Sequence, residues 1–264
     1  MELNYKKFGD QGAHLIILHG LFGSLDNWQS IARQLSEEYQ VWILDQRNHG
    51  RSPHSDEMNY LVLAEDLLAF MDAHQIAKAH VLGHSMGGKV AMTFALLYPG
   101  KVDHLVVADI GPIPYEGDHL PLFDAMLALP LDQIKDRQEA EDFLKSRIPS
   151  SSVRQFLLKN LTRNANGFSW KPNLKVLHQH YRKLMAFDAF GKVNGGPVSF
   201  LRGTKSDYIN PADFSFYQSI FPFAVLYNIP DAGHWLHAEQ PELFLEITKA
   251  VLSDEAPDGK YVLG

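Results

Sequence analysis

Apolar positions along this chain fall into two alternating patterns. Short unbroken runs, Leu15-Ile-Ile-Leu, Val41-Trp-Ile-Leu, His80-Val-Leu and Leu105-Val-Val-Ala, read as buried strands. Between them apolar residues recur at helical spacing. Trp28, Ile31, Ala32 and Leu35 predict a helix across residues 24–39. After Asn59, the residues Ala64, Leu67, Leu68 and Met71 stand at i, i+3, i+4 and i+7, one face of a second helix. A third runs from Met86 to Tyr98 and is closed by Pro99-Gly100. Strands alternating with helices predict βαβ units and a mostly parallel sheet.

The alternation breaks between residues 112 and 193, where charged helical stretches replace strand-like runs. Pro112, Pro114 and Pro121 mark its start; Gly191, Gly195, Gly196 and Pro197 mark its end. The pattern then resumes with Val198-Ser-Phe-Leu and Phe223-Ala-Val-Leu-Tyr. A last helix, Pro241 to Val251, carries Phe244, Ile247 and Val251 on one side. The predicted organisation is one α/β core made of residues 1–111 and 194–264, with a helical insertion over 112–193. An insertion following the carboxyl end of a strand covers the ligand crevice of an open α/β sheet.

Composition narrows the chemistry. The chain has 264 residues, 45% hydrophobic and 21% charged, proportions of a globular protein able to bury one sizeable core. With 31 acids against 24 bases and no basic block, its charge of −7 opposes a phosphate backbone, so nucleic acid is not an expected partner. The chain has no cysteine, which excludes disulfides, thiolate catalysis and cysteine-ligated metals. No apolar stretch is long enough for a membrane helix, and the first residues lack the apolar region of a signal peptide. The expectation is a soluble, cytoplasmic protein.

Four segments carry candidate chemistry. Gly83-His84-Ser85-Met86-Gly87 is G-x-S-x-G between a predicted strand and a predicted helix. A sharp turn there lifts the Ser85 hydroxyl above the sheet edge, at the positive end of the helix that follows. The alternative is an ordinary glycine-rich βα turn. His19-Gly20-Leu21-Phe22-Gly23 follows the first apolar strand. A tetrahedral oxyanion needs two N–H donors, and the backbone amides of Leu21 and Met86 are the candidates. Asp231-Ala-Gly-His234-Trp follows the last predicted strand; His234 there can serve as the base a serine hydroxyl needs at neutral pH. His237 reads as a surface or supporting residue, and His84 as packing or pocket lining.

The acid partner of His234 belongs at a strand end between Ser85 and His234. Asp109, closing Leu105-Val-Val-Ala-Asp, is favoured because the role needs only an inward-facing carboxylate at that place. Asp207 is the alternative. It lies one residue beyond the usual fourth position of a Gly-x-x-Asp turn that starts at Gly203, a slot filled here by Ser206. His178-Gln-His180 resembles a metal pair, but i, i+2 residues do not share a helix face, so no metal is expected. The turn Asp45 to Ser52 lacks the glycine pattern of a phosphate cradle. Phe123, Phe143, Phe156, Trp170, Phe187 and Phe190 in the insertion read mostly as its own core, with a minority facing a substrate.

Together, His19-Gly-Leu-Phe-Gly-Ser-Leu-Asp26, Arg47-Asn-His-Gly50, Gly83-His-Ser-Met-Gly-Gly-Lys89 and Ala232-Gly-His-Trp235 resemble the α/β-hydrolase superfamily, and more narrowly the bacterial YbfF-type esterases. The likeness spans most of the chain, since Gln155-Phe-Leu-Leu-Lys159 in the insertion shares it. It implies an α/β-hydrolase fold: a mostly parallel central sheet flanked by helices, with a helical cap inserted after the sixth strand. It also implies a cofactor-free serine esterase whose small-molecule substrates are acyl esters or acyl-CoA thioesters. Ser85 then matches the nucleophile, His234 the base and Asp109 an acid after the sixth strand, while Ser206 stands where the commoner acid would be. Asp207 beside it is the departure from that pattern. A C–C bond hydrolase or perhydrolase on the same triad, and a ligand-binding protein with a residual triad, are the other readings the residues leave open.

Overall fold

A computed structural model describes residues 1–115, 117, 119–165, 167–253 and 261–263. Strands and helices alternate first as β1 (Tyr5–Phe8), β2 (His14–Leu18), α1 (Gln29–Leu35), β3 (Gln40–Leu44), α2 (Tyr60–Ala73), β4 (Ala79–His84), α3 (Met86–Leu97) and β5 (Val102–Ala108). The insertion follows as α4 (Leu120–Leu127), α5 (Arg137–Lys145), α6 (Ser151–Leu158), the hairpin β6 (Leu161–Asn164) and β7 (Gly167–Trp170), α7 (Leu174–Gln179) and α8 (Tyr181–Met185). The core resumes with β8 (Val198–Gly203), α9 (Phe214–Ile220), β9 (Ala224–Ile229), α10 (Leu236–Glu239), α11 (Pro241–Leu252) and β10 (Val262–Leu263).

Among the described residues eight strands form the sheet, in the order β1-β3-β2-β4-β5-β8-β9-β10. It is parallel from β3 to β9, with antiparallel β1 and β10 at its edges. Successive residues of each inner strand alternate between two apolar cores, which is why these strands read as unbroken apolar runs. Leu15 and Ile17 join Ile31 and Leu35 of α1 with Phe244 and Ile247 of α11. Ile16 and Leu18 join Leu67 and Met71 of α2 with Val90 and Phe94 of α3, and this second core runs on into the insertion through Phe123, Leu157 and Leu177.

Three departures from the sequence pattern have local causes. β1 reads Tyr-Lys-Lys-Phe, an exposed edge strand with little apolar signal. β1 adds one to the four strands read from the pattern, so along this chain the insertion opens after the fifth strand, where the resemblance implied the sixth. The helix expected over 24–39 is shorter, a 3₁₀ turn at Leu25–Asn27 followed by α1; the Asn27 side chain accepts the Ser24 amide at 2.8 Å and closes that first turn. The insertion also holds the β6–β7 hairpin beside its helices. Residue 264, the expected end of the second core segment, lies outside the described residues.

The insertion docks on the core through backbone carbonyls. Asn173, the N-cap of α7, donates its amide to Asn48 O at 2.9 Å. The carbonyls closing α8 receive the Tyr60 hydroxyl, at Leu184, and the Lys89 ammonium, at Met185 (2.8 Å) and Ala186 (3.1 Å). Among the described residues no helix is long and apolar enough to cross a membrane.

Candidate active site

Ser85 occupies the turn between β4 and α3 with φ 54° and ψ −120°, a conformation rare for a side-chain-bearing residue. The glycines of the motif permit it. A Cβ on Gly83 would overlap the Gly87 carbonyl, and a Cβ on Gly87 would overlap the Leu18 carbonyl of β2. The Ser85 amide donates to Ala108 O at 3.0 Å, tying the turn to the end of β5.

Asp109 follows directly on β5, fully buried, with φ 52°. Among the described residues three donors meet its carboxylate: the Gly203 amide (3.1 Å), the Ser206 hydroxyl and His234 Nδ1 (2.8 Å). Burial pushes the carboxyl up from the ordinary range, while Ser206, Gly203 and the charge of Arg202 favour its ionised form. Burial pushes the His234 imidazole down, so the ring is neutral at physiological pH. With Nδ1 donating to Asp109, Nε2 carries the free lone pair. The Tyr208 ring lies flat on His234, with centroids 3.8 Å apart and planes at 15°, and stacks on Tyr115 on its other side. His84 Nε2 contacts the His234 carbonyl at 2.8 Å.

Asp207 is exposed; Ser206, in the position expected for an acid, is buried and donates to Asp109. His237, read as a surface or supporting residue, is buried, stacked on Trp28 with centroids 4.1 Å apart. A separate serine–imidazole contact, His104 Nε2 to Ser199 Oγ at 2.9 Å, joins β5 to β8 within the sheet. Four residues of strand separate His104 from Asp109, roughly 16 Å at the usual rise per residue.

The loop after β2 is built from His19. Its Nε2 accepts the Gln46 amide at 3.1 Å, so Nδ1 carries the proton and donates to Gly20 O at 2.8 Å. Burial holds this ring neutral, its pKa lowered to about 4. Gly20 O also accepts the Gly23 amide at 2.9 Å. A planar trans peptide points its N–H opposite its C=O, so these two bonds fix the direction of the Leu21 amide. Neither the Leu21 nor the Met86 amide donates to any other described residue.

Ser85 and His234 line one cavity of about 770 Å³, walled on the core side by Leu21 and Trp28 and on the cap side by Val153 and Phe156. Of the six aromatics singled out in the insertion, Phe156 alone lines it, among the described residues; Phe123 is wholly buried in the core that the cap shares with the sheet. His178 packs on Phe123 and His180 Nε2 contacts the Asp56 carbonyl at 3.0 Å, so the two histidines have different partners. Two site residues carry no role in the sequence reading, although Lys89 closes one of its motifs. Tyr208 stands two positions past the expected acid slot, and Lys89, buried in α3, lines a small second cavity shared with Ser85.

Comparison with known proteins agrees with this architecture. The sequence pattern of the α/β hydrolase fold matches residues 13–241. Esterase YbfF of Escherichia coli (strain K12) is 35% identical over 259 residues, 96% of this chain and 100% of that protein. The sn-1-specific diacylglycerol lipase ABHD11 of Danio rerio is 38% identical over 255 residues, 93% of this chain and 80% of that protein. A solved structure described as a marine microorganism esterase superposes with a TM-score of 0.92 at 42% identity, covering 95% of this chain and 99% of that one.

Proposed function

Because this chain belongs to the α/β hydrolase family, among relatives that are esterases and lipases, it is a carboxylic ester hydrolase, and we propose that it works through a Ser85–His234–Asp109 triad. The carrying observation is that Ser85 and His234, the latter hydrogen-bonded to the buried Asp109, meet at one large, mostly apolar cavity. In this reading His234 Nε2 takes the Ser85 proton as Oγ attacks the ester carbonyl. The electron pair of the C=O bond moves to oxygen, and the Leu21 and Met86 amides hold the resulting oxyanion. Collapse of the intermediate breaks the bond to the leaving group, which departs with the proton from His234. Water then repeats the sequence on the acyl-enzyme and regenerates Ser85.

The substrates proposed are acyl esters, with acyl-CoA thioesters as a second leaving-group class. A panel of both over chain length identifies the preferred one. Ser85→Ala should abolish turnover of a chromogenic acyl ester while leaving the fold intact. Among the acid candidates, Asp109→Asn should lower kcat by about 10³–10⁴-fold and Asp207→Asn should leave it near the wild-type value. Normal turnover by Ser85→Ala would overturn the nucleophile, and a collapse at Asp207 with normal rates at Asp109 would overturn the acid.

A further inference from the structure

The turn that carries the Leu21 amide contains an unusual residue. Gly20 to Gly23 is closed by the Gly23 amide on Gly20 O at 2.9 Å, and its third position is Phe22 at φ 59°. Positive φ at that place ordinarily calls for glycine or asparagine. A bulky aromatic is strained there and persists only if its surroundings hold it.

What holds it comes from the cap. Asn160, buried just beyond α6, donates Nδ2–H to Phe22 O at 2.6 Å across 138 residues of sequence. Asn160 is itself pinned: its amide donates to Leu157 O at 3.0 Å and its carbonyl accepts the Lys171 amide at 2.9 Å. Phe123 of α4 meets the Phe22 ring edge-on, with centroids 4.7 Å apart. The turn is thus clamped at both ends, by His19 on Gly20 O from the core and by Asn160 on Phe22 O from the cap.

Resting on the proposed reading of the Leu21 amide as an oxyanion donor, we infer that Asn160 is a positioning residue for ester hydrolysis. It fixes the Phe22–Gly23 peptide, and through it the whole turn, so that the Leu21 amide stays aimed at the reacting carbonyl oxygen. The cap is then a working part of the oxyanion hole as well as a wall of the substrate cavity.

The test is Asn160→Asp, which keeps the shape and removes the N–H donor, beside Asn160→Ala. Rates are taken per active site, titrated by organophosphonate labelling of Ser85, so that only folded enzyme is counted. The expected result is a fall in kcat of about 10- to 100-fold, with KM held within about twofold. Affinity for an alkyl boronic acid, a mimic of the tetrahedral oxyanion, should fall in step with kcat. In a Phe22→Gly background, where the turn is no longer strained, Asn160→Ala should cost less. Unchanged kcat per labelled site would overturn the inference, as would a change confined to KM or an equal cost in the Phe22→Gly background. Wild-type turnover and its loss in Ser85→Ala report separately on the proposed function, so the two can fail independently.

Discussion

The Asp109 carboxylate concentrates the site's electrostatics in a single side chain, and Ser206 is the neighbour whose effect on it can be isolated. The Ser206 hydroxyl hydrogen-bonds the ionised carboxylate and so favours that form. Without it, the His234–Asp109 pair takes up its proton at higher pH. Ser206→Ala should therefore move the acid limb of the kcat/KM profile upward by about 1–2 pH units; a stationary limb would mean that the hydroxyl does not stabilise the charge. At this scale the sequence was informative about Ser85 and His234, because each lies on a loop at a strand's carboxyl end. It favoured Asp109 over Asp207 on placement alone, because both follow strands. What separates them is tertiary: Ser206 turns inward onto Asp109 while Asp207 faces solvent. Tyr208 gave no signal, since its stacking on His234 depends on the course of a loop.

At the scale of elements, the strand–turn–helix around Ser85 was legible because its glycines mark places where backbones touch. Gly83→Ala would drive a methyl group into the Gly87 carbonyl, a backbone atom that cannot rotate away. The expected loss is about 3 kcal/mol, measured as a lower denaturant midpoint at unchanged slope; a stability equal to wild type would show that the elbow can widen. The edge strand β1 and the β6–β7 hairpin were illegible for the opposite reason. Their residues are largely exposed or half-buried, and no apolar period betrays them. Asn160 was hidden as well, because its partner is a main-chain oxygen, which leaves no mark in the sequence.

Across the whole molecule, cap and core share one apolar interior and are fastened at their polar seam by Lys89. Burial pushes its ammonium down from the ordinary lysine value to about 7. Between that pH and the unfolded lysine value of about 10.4, the unfolded chain holds one more proton than the folded one, so raising the pH stabilises the fold. Wild-type protein should accordingly gain stability above neutrality from this group, and Lys89→Met, which keeps the volume without the charge, should lose that gain. Denaturation at neutral and at alkaline pH checks it; parallel slopes for the two proteins would contradict it.

The bond from Asn160 to Phe22 bears on any chimera of such enzymes. Transplanting the segment between β5 and β8 from one relative to another would carry over the shape of a binding chamber. A donor lacking an amide at the place of Asn160 would deliver that chamber with a slack catalytic loop. Grafts should then sort by this one side chain into active and sluggish hybrids, whatever their affinity for the new substrate.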